Sequence, residues 1–290
     1  MNPDADKLSM PPSDLSERES LCVPVWAGES ARRGNKAPQA GLLIMNADDW
    51  GRDILTTNRI LECTVPGAVS SVSAMVFMKD SERAATMARD HAIDTGLHLN
   101  LTTPFSTASC SSMLMQCQQK IARYLLRHPL AQVMFHPGLT HAFEYVVAAQ
   151  IEEFNRLYGA TPSRLDGHHH MHLCANVLFQ GLLPANTIVR RNFFFETNEK
   201  SLWNRLYRRF VDRVLARRHC LRDYFFSLAP LQPEGRLQRI FSLSREYVIE
   251  VEVHPVNKDE YAFLIEGGIA RLAGSVSLQT KMPRKGPDRN

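Results

Sequence analysis

Short apolar runs alternate along the chain with stretches of helical spacing. Residues 41–46 (GLLIMN) read as a strand, 54–63 as a helix, and 69–77 as a β-rich run. A helix is predicted over 80–91, with Asp80 or Ser81 as its N-cap, and a strand over 95–101 (TGLHLNL). Further on, the pattern predicts a helix at 144–158, strands at 164–167, 187–190 and 247–253, and a last helix at 260–272. Strands alternating with helices in this way are the mark of βαβ units and a parallel sheet. The expected fold class is therefore α/β, a (β/α) barrel variant with mostly parallel strands. The stretch 103–140 is too long for an ordinary connection. It is expected to hold an inserted helix (113–128) after the third strand, where an insertion can shape an active site.

The two ends lack this pattern. Residues 1–40 contain Pro3, Pro11, Pro12, Pro24 and Pro38 with no sustained period, so they read as a disordered tail. Residues 275–290 form a polar, basic tail with Lys281, Arg284, Lys285 and Arg289. The barrel-like domain is assigned to 41–274.

In a parallel α/β sheet or barrel, residues at the C-terminal ends of strands gather on one rim. Polar groups recur at those ends: Asn46-Ala47-Asp48-Asp49-Trp50-Gly51, His98 within GLHLNLT, Asp166-Gly167-His168-His169-His170-Met171-His172, and His254-Pro255. One carboxylate and two imidazoles from separate strands suit a divalent metal with positions left open for water and substrate. Zinc fits such a set best, the same face serves Fe(II), and Mg²⁺ fits it less comfortably. The other carboxylate of the Asp48–Asp49 pair is then free to move a proton.

These four ordered motifs, NADDWG, GLHLNLT, LDGHHHMH and EVEVHP, resemble the YdjC-like carbohydrate deacetylases, a family with chitooligosaccharide and hopanoid-associated members. The resemblance implies a (β/α) barrel variant and metal-dependent removal of an N-acetyl group from an amino sugar. It casts Asp48 as general base, Asp49, His98 and His168 as ligands of one divalent metal ion, and His254 as general acid. Trp50, Asn100, His170, His172 and Arg190 become the substrate-binding candidates, with the choice among His168, His169, His170 and His172 for the third ligand left open. Two departures from the family pattern are Trp50, where Phe is common, and Val256, where Gly usually follows the proline.

Composition narrows the classes. At 290 residues, 44% apolar and 22% charged, the chain is neither fibrous nor wholly disordered. It has no apolar run of about 18 residues and no signal-peptide pattern at its start, which leads to the expectation of a soluble cytoplasmic protein. The net charge of +4 gives no reason to expect nucleic acid as a partner. Its distribution is uneven, because the segment from Arg190 to Arg222 alone carries ten basic against three acidic residues. Within it, Trp203, Leu206, Tyr207, Phe210, Val211, Val214 and Leu215 form an apolar stripe at helical spacing, with Arg205, Arg208, Arg209, Asp212 and Arg217 on the remaining faces. One reading packs the stripe on the sheet; the other makes 203–218 a peripheral contact with the inner membrane. Six cysteines without a C-x-x-C pair suit reduced, mostly buried thiols. The expected partner is an N-acetylated sugar, and a homodimer is an allowed assembly. The rival activities are a non-haem Fe(II) oxygenase on the same triad, or an inactive carbohydrate- or lipid-binding module.

Overall fold

The structure is a computed structural model that describes residues 41–195 and 199–273; the two expected tails lie outside the described residues. Seven strands run in the order β1 (Leu42–Trp50), β2 (Ser71–Ala74), β3 (Thr95–Leu99), β4 (Arg164–Gly167), β5 (Ile188–Val189), β6 (Tyr224–Ser227) and β7 (Val248–Val253). Nine helices are described between and after them: α1 (Ile54–Thr64), α2 (Ser81–Asp90), α3 (Ser112–Arg127), α4 (Thr140–Tyr158), α5 (Ala175–Gln180), α6 (Leu202–Leu215), α7 (Glu234–Leu243), α8 (Lys258–Ile265) and α9 (Gly268–Ala273). All strand pairs are parallel, in the spatial order β5-β4-β3-β2-β1-β7-β6. The sheet curls until its edges meet. Val189 N–H donates to the Cys220 carbonyl at 3.0 Å, and Phe194 N–H donates to the Phe225 carbonyl at 2.9 Å. The α/β barrel expected from the alternation is the fold observed.

Strand alternation sorts the side chains into two environments. Leu43, Met45, Ala47, Val72, Leu97, Leu99, Leu165, Ile249, Val251 and Val253 join the apolar core. Asn46, Ser71, Ser73, His98, Asp166, Glu250 and Glu252 are equally buried, though polar. The second set meets inside the curl of the sheet, where Asn46 donates to Ser73 at 2.7 Å and Ser73 donates to Asp166 at 2.5 Å. The barrel interior is therefore a polar network, enclosed by strands whose apolar side faces the helices.

The inserted helix is present as α3, followed by two short 3₁₀ turns at Pro129–Gln132 and Pro137–Leu139. Together with α4 it holds the loop after β3. Gln118 of α3 donates to the Thr103 carbonyl at 2.8 Å. Gln150 of α4 accepts from the Asn100 N–H at 2.8 Å and donates to the Asn100 carbonyl at 3.1 Å.

Four expectations change. The predicted final helix is two, α8 and α9, broken where Gly267 takes a φ of 74°. Strand β6 and helix α7 lie in a stretch where the sequence pattern predicts neither. The stripe on α6 does not pack as a unit: Val211 and Leu215 are buried, but Trp203, Leu206, Tyr207 and Phe210 are exposed. The cause is Asp212, which is buried on the inward face and accepts from Arg191 at 2.8 Å and from the Asn192 N–H at 3.0 Å. Finally, Cys63, Cys110, Cys117 and Cys174 are free thiols, but Cys220 is disulfide-bonded. Among the described residues no helix is long and apolar enough to cross a membrane.

Gln150→Leu keeps most of the side-chain volume but strands the Asn100 amide and carbonyl in a buried loop. Each orphaned group should cost about 1–3 kcal/mol, read as a lowered urea midpoint with unchanged slope. A midpoint equal to wild type would mean that the loop is held by other contacts.

Candidate metal centre and its carboxylate–arginine network

The end of β1 is irregular in a way that serves the site. Its register with β2 runs from Ala47–Val72 to Trp50–Ala74, so three steps on β1 are matched by two on β2. This is a β-bulge. Within it Asp49 adopts a φ of 70°, a left-handed conformation that is uncommon outside glycine. Regular alternation would send Asp48 and Asp49 to opposite faces; the bulge brings both to the same pocket.

Asp49 Oδ1 lies 3.0 Å from His168 Nδ1 and 3.4 Å from His98 Nε2. Its other oxygen accepts from Arg52 at 2.7 Å. Burial alone would raise the Asp49 pKa, but the adjacent His168 and His98 rings hold it well below the usual carboxylate range. Asp49, His98 and His168 are all buried and present ligand atoms within 4.8 Å of one another. Asp49 Oδ1 is also a buried acceptor with no hydrogen-bond partner of adequate geometry. An orphaned carboxylate oxygen facing two imidazole nitrogens fits a divalent cation by position and by donor chemistry.

A second group, Asp48, His98 and Asp166, is equally compact. It already has its cation. Arg190, with a side chain 0% exposed, lies 2.7 Å and 2.8 Å from the two oxygens of Asp48, 2.8 Å from Asp166 Oδ2 and 2.7 Å from Glu250 Oε1. Glu252 is 3.5 Å away, and the guanidinium lies over the Phe225 ring at 4.8 Å. Burial opposes ionisation of Asp48 and Asp166, yet Arg190 beside them holds both below the ordinary range. For Glu252, burial and the nearby Asp48 push the pKa well above the ordinary range.

Asp166 also accepts from His98 Nδ1 at 2.7 Å. That bond fixes a proton on Nδ1 and directs Nε2 towards Asp49, the carboxylate–histidine arrangement that orients metal-binding imidazoles. Burial would lower the His98 pKa, but Asp48 and Asp166 push it up to about 10. Asp166, Glu250 and Glu252 are the site residues that sequence reasoning missed. Asp166 stood within a quoted motif, whereas the alternating EVEV of β7 reads as a strand with one wet face.

The remaining candidates fall in different places. Trp50 is fully buried in the apolar core and Asn100 is fully buried in its loop, where it accepts from Thr103 N–H at 2.9 Å and donates to the Thr103 carbonyl at 2.7 Å. Arg190 is sealed among carboxylates. None of these three presents a side chain to solvent. His172 is also fully buried, with Nε2 2.9 Å from the Arg190 carbonyl, and burial lowers its pKa to about 4. His169 pairs with Thr102 at 3.0 Å. His170 remains partly accessible, 3.7 Å from Glu252 and edge-on to Phe193 and Phe225. His254 follows β7 directly. The β1–β7 register ends at Ala47–Val253, so Asp48 and His254 are each the next residue of adjacent strands. Although Val256 replaces the usual glycine, Glu260 of α8 fixes this turn by accepting from the His254 N–H at 2.8 Å and from Asn257 at 2.9 Å.

The family model for YdjC-like protein matches residues 42–277. Carbohydrate deacetylase of Mus musculus is 34% identical over 140 residues, covering 47% of this chain and 44% of its own length. Carbohydrate deacetylase of Geobacillus stearothermophilus is 33% identical over 135 residues, covering 46% and 51%. Chitooligosaccharide deacetylase of Proteus mirabilis (strain HI4320) is 29% identical over 140 residues, also covering 46% and 51%. The chain thus spans about half the length of the relatives it matches. A crystal structure from Enterococcus faecalis V583, of a protein named for cellobiose-phosphate cleavage, superposes with a TM-score of 0.55 at 18% identity, over 81% of this chain and 96% of that one. At that identity the likeness speaks for a shared fold. With a family match over most of its length, the chain belongs to the YdjC-like protein family.

Proposed function

We propose that the protein is a metal-dependent hydrolase that removes an N-acetyl group from an amino sugar within a glycan or glycolipid and releases acetate. The observation that carries this reading is the orphaned Asp49 Oδ1 between His98 Nε2 and His168 Nδ1. Asp49, His98 and His168 would hold the ion, for which zinc suits the mixed N/O set better than magnesium. A bound divalent ion supplies Lewis acidity towards the acetamide carbonyl and lowers the pKa of water to about 7. The names of the relatives, carbohydrate and chitooligosaccharide deacetylase, support an N-acetylated sugar as substrate.

The roles proposed for the protein's own groups draw on their placement. Asp48 accepts the proton of the attacking water. Its carboxylate is kept ionised and aimed by Arg190 and by Asn46, which donates to Oδ1 at 2.9 Å. A strongly ionised carboxylate is a weak base, so it works only on a water made more acidic than bulk, which is consistent with the metal requirement. Asp166 sets the tautomer of His98. His254, just past the end of the strand beside Asp48, protonates the departing amine. Arg190 and His172 act as positioning residues, while His170 stays partly accessible to a substrate and His169 is exposed beside it.

Asp49→Asn or His98→Ala should each abolish most metal binding while leaving the circular dichroism spectrum unchanged. Alanine at His168 should cost more metal than alanine at His170; the reverse order would move the third ligand. A second expectation concerns protons. With a pKa of about 10 in the metal-free protein, His98 is protonated at pH 8 and must lose that proton to become a ligand. Zinc titration of metal-free protein, followed by calorimetry in two buffers of different ionisation heat, should report release of about one proton per zinc. Buffer-independent heats would show that His98 is already neutral. Finally, Asp48→Asn should lower turnover by about 10² to 10⁴ with metal content retained. His254→Ala should also keep its metal, with a smaller loss on substrates whose leaving amine needs less protonation. Loss of metal in Asp48→Asn as complete as in Asp49→Asn would make both carboxylates ligands.

A further inference from the structure

Helix α6 shows solvent the face that a helix on a barrel normally buries. Trp203 is 81% exposed, and Leu202, Leu206, Tyr207 and Phe210 are exposed beside it. Residues 203, 206, 207 and 210 are spaced one helical turn apart and form a continuous surface strip. Among the described residues nothing covers it. Arg209, Arg213, Arg217 and Arg218 are exposed on the same helix and just beyond it. Between α6 and the loop at 191–195 lies a cavity of about 540 Å³, lined in part by Phe193, Phe195, Arg205, Arg208 and Arg209. This loop joins the strip to the candidate site, since Phe193 stacks on Phe225 at 4.5 Å and meets His170 at 4.6 Å.

We infer that the outward face of α6 docks on an anionic lipid membrane. An aromatic and aliphatic strip inserts to the headgroup boundary, while flanking arginines lie at the level of the phosphates and keep their alkyl stems on apolar surface. Charge decides against the other occupants. From 201 to 218 the chain carries six arginines against a single acid, Asp212, which is buried and paired with Arg191. A second copy would set this excess against itself. The 275–290 tail carries the same sign, and residues 1–40 hold six acids against five bases, too nearly neutral to match it. An anionic membrane supplies negative charge and an apolar interior together.

The test uses the full chain with vesicles of phosphatidylcholine alone and of phosphatidylcholine with about one third phosphatidylglycerol. Co-sedimentation should occur with the anionic vesicles only and weaken with salt. Trp203→Ala combined with Phe210→Ala should lower partitioning roughly tenfold or more. Arg209→Gln and Arg213→Gln should each lower it about fivefold, the equivalent of about 1 kcal/mol per basic residue near such a surface. All four side chains are exposed, so the variants should keep the wild-type circular dichroism. Equal binding to neutral vesicles, no binding to either, or wild-type binding by the double variant would overturn the inference. So would a dimer that the double variant dissociates in the absence of vesicle binding, which would give the strip to a second copy. The vesicle readout requires no catalysis, so it stands or falls separately from the deacetylase reading.

Discussion

The interior of this barrel is organised by one desolvated charge. Arg190 has no exposed side-chain surface, and a guanidinium taken wholly out of water is strongly destabilising unless its donors are met. Here they are met by carboxylates from three separate strands: Asp48 of β1, Asp166 of β4 and Glu250 of β7, with Glu252 a further step away. The dependence is mutual. Four buried acids around a single arginine repel one another, and the high pKa of Glu252 shows that the cluster favours keeping a proton there. Removing one partner of such a cluster typically costs about 3–5 kcal/mol, because it leaves its neighbours buried and unpaired. The interaction also crosses the sheet, so it fixes strand placement as well as charge.

From that constraint the chemistry of the site follows in order. Arg190 holds Asp166, Asp166 holds His98 Nδ1, and the bond leaves His98 Nε2 facing Asp49. Arg190 also clamps both oxygens of Asp48, so the two adjacent aspartates differ in environment despite being neighbours in sequence. One is satisfied by a protein cation; the other keeps an oxygen without a hydrogen bond, facing two imidazoles. Two carboxylates divided in this way are suited to separate tasks, one to carry a cation and one to carry a proton.

The β/α alternation, the inserted helix and the strand-end histidines were legible in the sequence because each follows from local spacing. The parts that were not legible depend on contacts distant in sequence. Glu250 and Glu252 alternate with valines in the pattern of a half-wet strand, and only closure of the sheet puts them inside. Arg190 looked like a strand-end charge open to a ligand, because nothing near it in sequence announces Asp48, 142 positions earlier. Trp50 and Asn100 followed strand motifs that carry chemistry, yet one fills core and the other ties its own loop. On α6 the stripe was visible but its direction was not, since buried Asp212 turned a different face inward.

The β-bulge at the end of β1 explains why the paired aspartates could be recognised as chemistry without their geometry being derivable. In a regular strand, neighbours point to opposite faces, so Asp48 in the interior would place Asp49 among the apolar residues under the helices. A carboxylate there would lack partners, and that arrangement would be strongly disfavoured. The extra residue between Ala47 and Trp50, with the left-handed φ at Asp49, resolves the conflict and returns Trp50 to the apolar side. Backbone strain of this kind, about 1–3 kcal/mol for a left-handed non-glycine residue, persists only where surrounding contacts over-determine it. Arg52 supplies such a contact by donating both to Asp49 and to Asp53, which in turn caps α1. The strained residue is therefore gripped between the pocket and the first helix, and its free oxygen is held facing the two histidines.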